Sequence, residues 1–362
     1  MKHHNPKLLK ANNETPLNYN KFHKEYTQAV HALGLLEGSQ KKLQNPDLLI
    51  SPLTAKEAAV SPKIEGTVST VSDIFLFEAG GKQGDSDARQ VANYRTAMTE
   101  AREELKKGRL ISNSLVKSLH SMLLHKVRHK GPLGHFREET VYIASKPTDP
   151  IEKALYIPPE YVQVQSYMDN IIDYLEHSED EVLIKAGLFH YQFEAVHPFN
   201  DGNGRLGRLL IPLILHYEGT ISSPILYLSG YIDEHRNEYR SRLHEVDEGG
   251  PYEGWLKFFF KCVAAQAKET QELIDNIYNL YDETKSRFHA TKSPYLVYFV
   301  DFLFNSPLFN TTQAKKALGN KSGLTVSRLL KLFKEQKIVE ELPFKLGRSK
   351  LYVFRALLNL LG

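Results

Sequence analysis

The stretch His197-Pro198-Phe199-Asn200-Asp201-Gly202-Asn203-Gly204-Arg205-Leu206-Gly207-Arg208 constrains this chain more than any other. It lies between two runs of helical periodicity, predicted at 180–193 and 205–216, so the chain must turn here and re-enter a helix. Its glycines let backbone N–H groups converge at the start of the second helix, where unpaired amides and the helix dipole favour an anion. Arg205 and Arg208 are three apart and share one face, where each guanidinium fork can grip phosphate oxygens.

Two further groups complete the set. Asp201 supplies the single carboxylate that a phosphate-bound Mg²⁺ typically recruits. His197 supplies an imidazole whose ordinary pKa suits proton abstraction near neutral pH. Anion cradle, carboxylate, two arginines and base together describe phosphoryl or nucleotidyl transfer. No Gly-Lys-Ser/Thr closes the stretch, which sets it apart from the Walker loop of ATPases. No parallel strand precedes it, which sets it apart from the dinucleotide-binding turn.

The surrounding pattern is mainly α. Helices are expected at 26–36, 87–107, 113–125, 161–176, 233–245 and 252–281, with a loop at 80–85. From Thr54 to Ala79 the pattern is helical but interrupted at 61–66, where Ser61-Pro62 reads as an N-cap and first helical position that starts a short helix with Glu65 one turn inside. The residues Thr140–Ala144 and Ala154–Ile157 read as a small hairpin inserted in the helical body. Near the end, Thr311–Leu318 and Leu324–Gln336 form helix, turn, helix. Strands at 337–341 and 350–354 then make a two-stranded wing, which is a winged-helix pattern. The organisation expected is an N-terminal helical region over 1–110, a central core over 111–285 and a winged helix over 290–362.

Composition narrows the class. The 362 residues are 41% hydrophobic and 25% charged, as in globular proteins. Cys262 is the single cysteine, so neither an intrachain disulfide nor a Cys-rich metal site can form. The first residues, positive without an apolar stretch behind them, do not read as a secretory signal. The longest apolar run, Leu209–Leu215, falls far short of the roughly 20 residues that span a bilayer. A cytoplasmic protein is expected. Net charge is +3 overall, but residues 290–362 hold 12 Lys/Arg against 4 Asp/Glu, leaving −5 for the remainder. A basic tail on a mildly acidic body raises a nucleic-acid hypothesis.

The loop matches His-x-Phe-x-Asp/Glu-Gly-Asn-Gly-Arg-x-x-Arg at each fixed position and so resembles the Fic family. The likeness extends from about Ser61 to Leu256 and implies a protein adenylyltransferase, which moves AMP from ATP to a Tyr, Thr or Ser hydroxyl. By resemblance, His197 is the base and Asp201 holds Mg²⁺ between the α- and β-phosphates. The Gly202, Asn203 and Gly204 amides, with the Asn203 side chain, form the anion hole; Arg205 takes the β-phosphate and Arg208 the γ-phosphate. Val196, Leu206, Gly207 and Tyr239 border the nucleotide, and Phe199 anchors the loop. Glycine at 204, where Doc-like kinases carry lysine, favours AMP transfer.

Ser61-Pro62-Lys63-Ile64-Glu65-Gly66 matches the family's inhibitory pattern, Ser/Thr-x-x-x-Glu-Gly/Asn. By resemblance, the Glu65 carboxylate competes with the γ-phosphate for Arg208, and in some relatives the same glutamate supports AMP removal. The hairpin resembles the family's flap, with Ile143, Ala144, Ser145 and Lys146 beside the nucleotide and an edge for an extended target segment. Relatives often carry paired tyrosines where this chain has Tyr239-Arg240, and sometimes Asn where Asp247 stands. Self-modification and a homodimer are further partners the family implies. Other histidines, including His190, read as packing residues. The tail reads as a DNA, dimerisation or docking module, with Lys321, Ser322, Thr325 and Arg328 at its second helix. Two alternatives stay open: the same fold using another donor (phosphotransfer or phosphocholine transfer), and a DNA-binding regulator that senses nucleotide without turnover.

Overall fold

The computed structural model describes residues 3–10, 17–41, 47–66, 69–81, 86–144, 146, 148–288, 293–347 and 349–362. The 82–85 part of the expected loop, Ser145 of the hairpin and Arg348 of the wing turn lie outside the described residues. The first elements in chain order are α1 (His23–Gln40), α2 (Asp47–Lys63), α3 (Val71–Glu78), α4 (Ser86–Lys106), α5 (Asn113–Leu123), β1 (Ile143–Ala144) and β2 (Ala154–Tyr156). Next come α6 (Val164–His177), α7 (Val182–Val196), α8 (Asn203–Tyr217), α9 (Ser229–Glu234), α10 (Arg236–Asp247) and α11 (Tyr252–Ser286). The chain closes with α12 (Leu296–Asn305), β3 (Leu308–Asn310), α13 (Thr311–Ala317), α14 (Gly323–Glu335), β4 (Glu340–Leu346), β5 (Ser349–Val353) and α15 (Arg355–Leu361). The mainly α expectation holds. No described helix is long and apolar enough to cross a membrane.

The chain divides into two compact units, Met1–Gly34 with Thr96–Ala267, and Leu35–Arg95 with Lys268–Gly362. This division is not linear, since both units draw on the expected N-terminal region.

In the first unit α7 is the centre. Nearly every side chain from Leu183 to Val196 is buried, so the helix is apolar all round rather than striped. It packs against α6, α8 and α10. α5 is amphipathic, burying Leu115, Val116, Leu119, His120 and Leu123, and meets α6 and α8. Pro212 lies within α8, which continues to Tyr217. Proline there removes the bond to the Arg208 carbonyl, and a wholly buried flank, Leu209–Leu215, holds the helix together. The hairpin is present but shorter than expected, pairing Ile143 with Tyr156 and Ala144 with Ala154.

In the second unit the expected short helix beginning at Ser61 is corrected. Ser61 and Pro62 instead sit in the last turn of α2, whose buried Leu48, Leu49, Leu53, Ala55, Ala58 and Ala59 continue the helical pattern upstream. A proline so near a helix end forfeits one bond, toward Ala58. Glu65 lies in the turn that follows, its N–H donating to Pro62 O at 2.9 Å. The next helix, α3, starts where Thr70 Oγ1 accepts the Asp73 N–H and Asp73 returns a carboxylate to the Thr70 N–H, a capping box.

The C-terminal elements run as helix, turn, helix and two paired strands, with additions. Asn310, not Thr311, caps α13 through a reciprocal pair with Gln313, both bonds at 2.9 Å. An unexpected strand, β3, pairs antiparallel with β5, giving the order β3-β5-β4. β4 begins at Glu340 because Lys337 stands in the left-handed region at φ 54. Its register slips between Glu341 and Lys345, around Pro343, which has no N–H to donate.

Candidate active site

The loop 197–202 joins the C-terminus of α7 to the N-terminus of α8. His197 is the C-cap of α7 in the left-handed conformation, φ 49 and ψ 62, and its N–H donates to Phe193 O at 3.0 Å. A residue with a Cβ pays about 1–3 kcal/mol there, and Pro198 behind it disfavours helical backbone further. Gly202, at φ 79, is the N-cap of α8 and brings no side chain to that end. The first amides of α8 therefore face outward without partners from their own helix.

Three groups hold the loop in place. Asn203 Oδ1 accepts the Phe199 N–H at 2.9 Å, and Asn203 Nδ2 donates to Phe199 O at 2.8 Å. Both ends of the Asn203 amide thus close the loop, and one Nδ2 hydrogen is left over for the role expected of it in the anion hole. Phe199 is wholly buried, as expected of an anchor, and stacks on His120 at 3.9 Å and 6°.

His120 was missed in the sequence reading. Its Nδ1 accepts the Gly134 N–H at 3.0 Å, so the proton is on Nε2, which donates to Asp201 O at 3.0 Å. Burial pulls its pKa down to about 4, so it stays neutral near pH 7. The signal available was a histidine on the apolar face of α5.

Arg137 was missed as well. At 2% exposure it donates from Nε to His197 O at 2.9 Å, from Nη1 to Glu139 O at 3.1 Å and from Nη2 to Pro159 O at 2.6 Å. Burial pulls its guanidinium down to about 10, still charged at neutral pH. No linear pattern announced it.

The segment before the hairpin lies over the same loop. Gly131, at φ 71, leaves no room for a Cβ, which would come within 2.5 Å of Asn200 Cγ. Asn200 Nδ2 donates to Glu139 Oε1 at 2.6 Å.

Arg205 and Arg208, both buried, project from the first two turns of α8. Arg205 Nη2 donates to Asp201 Oδ1 at 2.9 Å. Asp201, Arg205 and the amide-bearing helix start are thus contiguous, and His197 opens the same loop. Val196 and Leu206 are wholly buried. Gly207 is packed against α7, where a Cβ would lie 3.2 Å from Phe193 Cδ1. Tyr239 is buried beside Trp255, with its hydroxyl 2.9 Å from His190 Nε2. That places both Tyr239 and His190 in the core. Burial and the Arg208 charge pull His190 down to about 3. Ser61 is buried and Glu65 exposed, both in the second unit.

A Mg²⁺ fits this donor set only as a nucleotide's companion, since Mg²⁺ takes one or two carboxylates plus phosphates and Asp201 offers one. Among the described residues no cluster of three His, Cys, Asp or Glu forms a cage of its own.

A helix N-terminus of this kind, entered through an anchored His-Pro-Phe turn and followed by two buried arginines, defines a class. The chain belongs to the Fic/DOC family: residues 23–103 match the family's N-terminal region and 110–215 the family itself, together just over half of the chain. It is 31% identical over 198 residues to a probable protein adenylyltransferase of Aquifex aeolicus, covering 53% of this chain and 56% of that one. It is 35% identical over 117 residues to a protein adenylyltransferase of Caenorhabditis elegans, covering 31% of this chain and 20% of that one. The chain therefore spans about half, or less, of the curated relatives it matches. Two solved structures share the fold. One is a Fic family protein of Desulfovibrio desulfuricans (TM-score 0.60, 17% identity, 94% of this chain and 97% of that one). The other is a Fic domain containing signaling protein of Bacteroides thetaiotaomicron (0.51, 19%, 67% and 95%).

Proposed function

We propose that this protein transfers AMP from ATP to a hydroxyl of a protein. The observation that carries the reading is the N-terminus of α8, capped by a glycine without a side chain, with buried Arg205 and Arg208 behind it and His197 at its mouth. Such an end binds phosphate through amides and dipole. Arg205 and Arg208 grip the outer phosphates, and Asp201 would hold the Mg²⁺ that offsets their charge. The hydroxyl oxygen attacks the α-phosphorus and its proton passes to the His197 imidazole. The bond from the α-phosphorus to the bridging oxygen breaks, and pyrophosphate leaves. The substrate hydroxyl comes from a target protein or from the chain itself.

Glu65 acts as the brake in this reading, on the strength of its place in Ser61-Pro62-Lys63-Ile64-Glu65-Gly66. A homodimer and a cytoplasmic setting accompany the family likeness and the single cysteine. The test uses ATP labelled at the α-phosphate. Glu65→Gly should raise incorporation into protein at least tenfold over the unaltered chain, and His197→Ala in that background should abolish it. Label retained from the γ-phosphate instead would replace the reaction with phosphotransfer.

A second reading concerns the C-terminal elements, which we propose contact duplex DNA. The acids of that region are each engaged: Asp301 by Tyr281, Glu335 by Lys331, Glu340 by Arg355, and Glu341 by Lys334 and Lys350. Lys315, Lys316, Lys321, Arg328, Lys337 and Lys345 have no carboxylate partner among the described residues, and all are exposed.

A further inference from the structure

Three consecutive carbonyls in the α7–α8 turn, those of Val196, His197 and Pro198, end on one residue. Arg137 Nη2 donates to Val196 O at 3.3 Å, Nε to His197 O at 2.9 Å, and the Arg137 main-chain N–H to Pro198 O at 2.9 Å. The first two are terminal carbonyls of α7, which the helix itself leaves unpaired and which carry the negative end of its dipole. The remaining donors go to Glu139 O and Pro159 O, one on each stem of the β1–β2 hairpin. Among the described residues no partner of this buried cation is a carboxylate. Its hydrogen bonds all end on main-chain carbonyls, those of the turn that carries His197 and those of the two hairpin stems.

The turn needs such a clamp. His197 holds a left-handed backbone directly before a proline, a state that persists only where its surroundings over-determine it. Lysine keeps the charge but cannot reproduce a planar fork across several acceptors. The imidazole of His197 leaves the backbone at the point Arg137 clamps, so its direction depends on that clamp.

We propose that Arg137 is a positioning residue: it fixes the backbone of His197 in the geometry from which the imidazole reaches the attacking hydroxyl, and joins both hairpin stems to that turn. This rests on the AMP-transfer reading, with Arg137 acting through His197 and not on substrate.

The test compares Arg137→Lys and Arg137→Met with the unchanged residue, in the full chain carrying Glu65→Gly. The rate constant for self-incorporation from α-labelled ATP at saturation should fall about 100-fold. The ATP concentration for half-maximal rate, and MgATP affinity by calorimetry, should move less than about threefold. Hydrogen exchange at residues 197–204 should quicken at least tenfold while the α6 amides keep their protection. A purely structural role would lower rate, binding and α6 protection together, and that result overturns the proposal. So does Arg137→Lys with an undiminished rate. If the Arg137-containing parent incorporates no label, AMP transfer is what fails. Exchange then decides on Arg137 alone: a selectively loosened 197–204 turn supports the clamp, and an unchanged turn rejects it.

Discussion

Arg205 Nη2 lies 2.9 Å from Asp201 Oδ1, four residues earlier, so the arginine proposed for a phosphate and the carboxylate proposed for its metal hold each other. Arg205 is 8% exposed at its side chain and Asp201 33%, so the arginine is the fixed partner and the carboxylate the one free to swing. In the proposed AMP transfer, a triphosphate would give Arg205 a stronger partner and free Asp201 for the accompanying cation. Asp201→Asn keeps a hydrogen-bond acceptor for Arg205 but gives up the charge. The Mg²⁺ concentration for half-maximal nucleotide binding should rise on the order of tenfold, while binding without Mg²⁺ stays level or tightens. A Mg²⁺ titration followed by calorimetry reads both; an unshifted midpoint would remove Asp201 from the metal site.

His120 gives the fold a pH dependence of known sign. Burial holds it at about 4 in the folded chain, below its ordinary value of 6.5, so the unfolded chain takes up the proton first. The stability it contributes is complete above pH 6.5 and is lost as pH falls toward 4. His190, pulled to about 3, acts in the same direction. Asp247, raised by burial to about 6, works the opposite way: it favours the folded state below its ordinary 3.8 and loses that advantage as pH rises through 6. The comparison that isolates His120 is therefore between the parent and His120→Gln. Their difference in unfolding free energy should shrink by about 2 kcal/mol between pH 7 and pH 5, at one pKa unit per 1.4 kcal/mol. Urea titrations at each pH measure it, and a constant difference would mean that His120 titrates normally.

Much of the site was legible because its parts are close in sequence. His197, Asp201, Arg205 and Arg208 share one turn and one helix start, so spacing alone sets which of them meet. His120 and Arg137 reach the same turn from 81 and 60 residues away, through main-chain carbonyls that no residue pattern reveals. The start of α2 was misread for a related reason: Ser61-Pro62 is as good an opening for a helix as it is tolerable in a last turn, and only the buried upstream face decides. Strand β3 escaped notice because three residues are too few for an alternation to show.

Gly131 brings the pre-hairpin segment against Asn200 of the loop. Alanine there meets two obstacles, φ 71 and Asn200 within 2.5 Å of the added carbon. The strain costs on the order of 1–2 kcal/mol, and relieving it pushes Asn200 off Glu139. Gly131→Ala should lower the unfolding midpoint, and Gly108→Ala, at φ 85 with open space around it, should pay the backbone strain without the collision. Equal losses in the two variants would show that Gly131 serves its turn and not the contact with the loop.

The DNA reading stands on charge, so salt is its sharpest measure. Lys321 and Arg328 flank the first turns of α14, whose N-cap is Ser322. Each phosphate contact contributes about 0.9 to the slope of log affinity against log salt. Lys321→Ala and Arg328→Ala should each flatten that slope by about one unit and weaken binding to a mixed-sequence duplex several-fold at low salt. Lys10→Ala, in the other unit, should change neither. Fluorescence anisotropy across 50 to 200 mM salt (roughly the range over which such contacts lose most affinity) separates the outcomes. Binding that ignores both substitutions would turn the C-terminal elements from a nucleic-acid surface toward a protein-docking one.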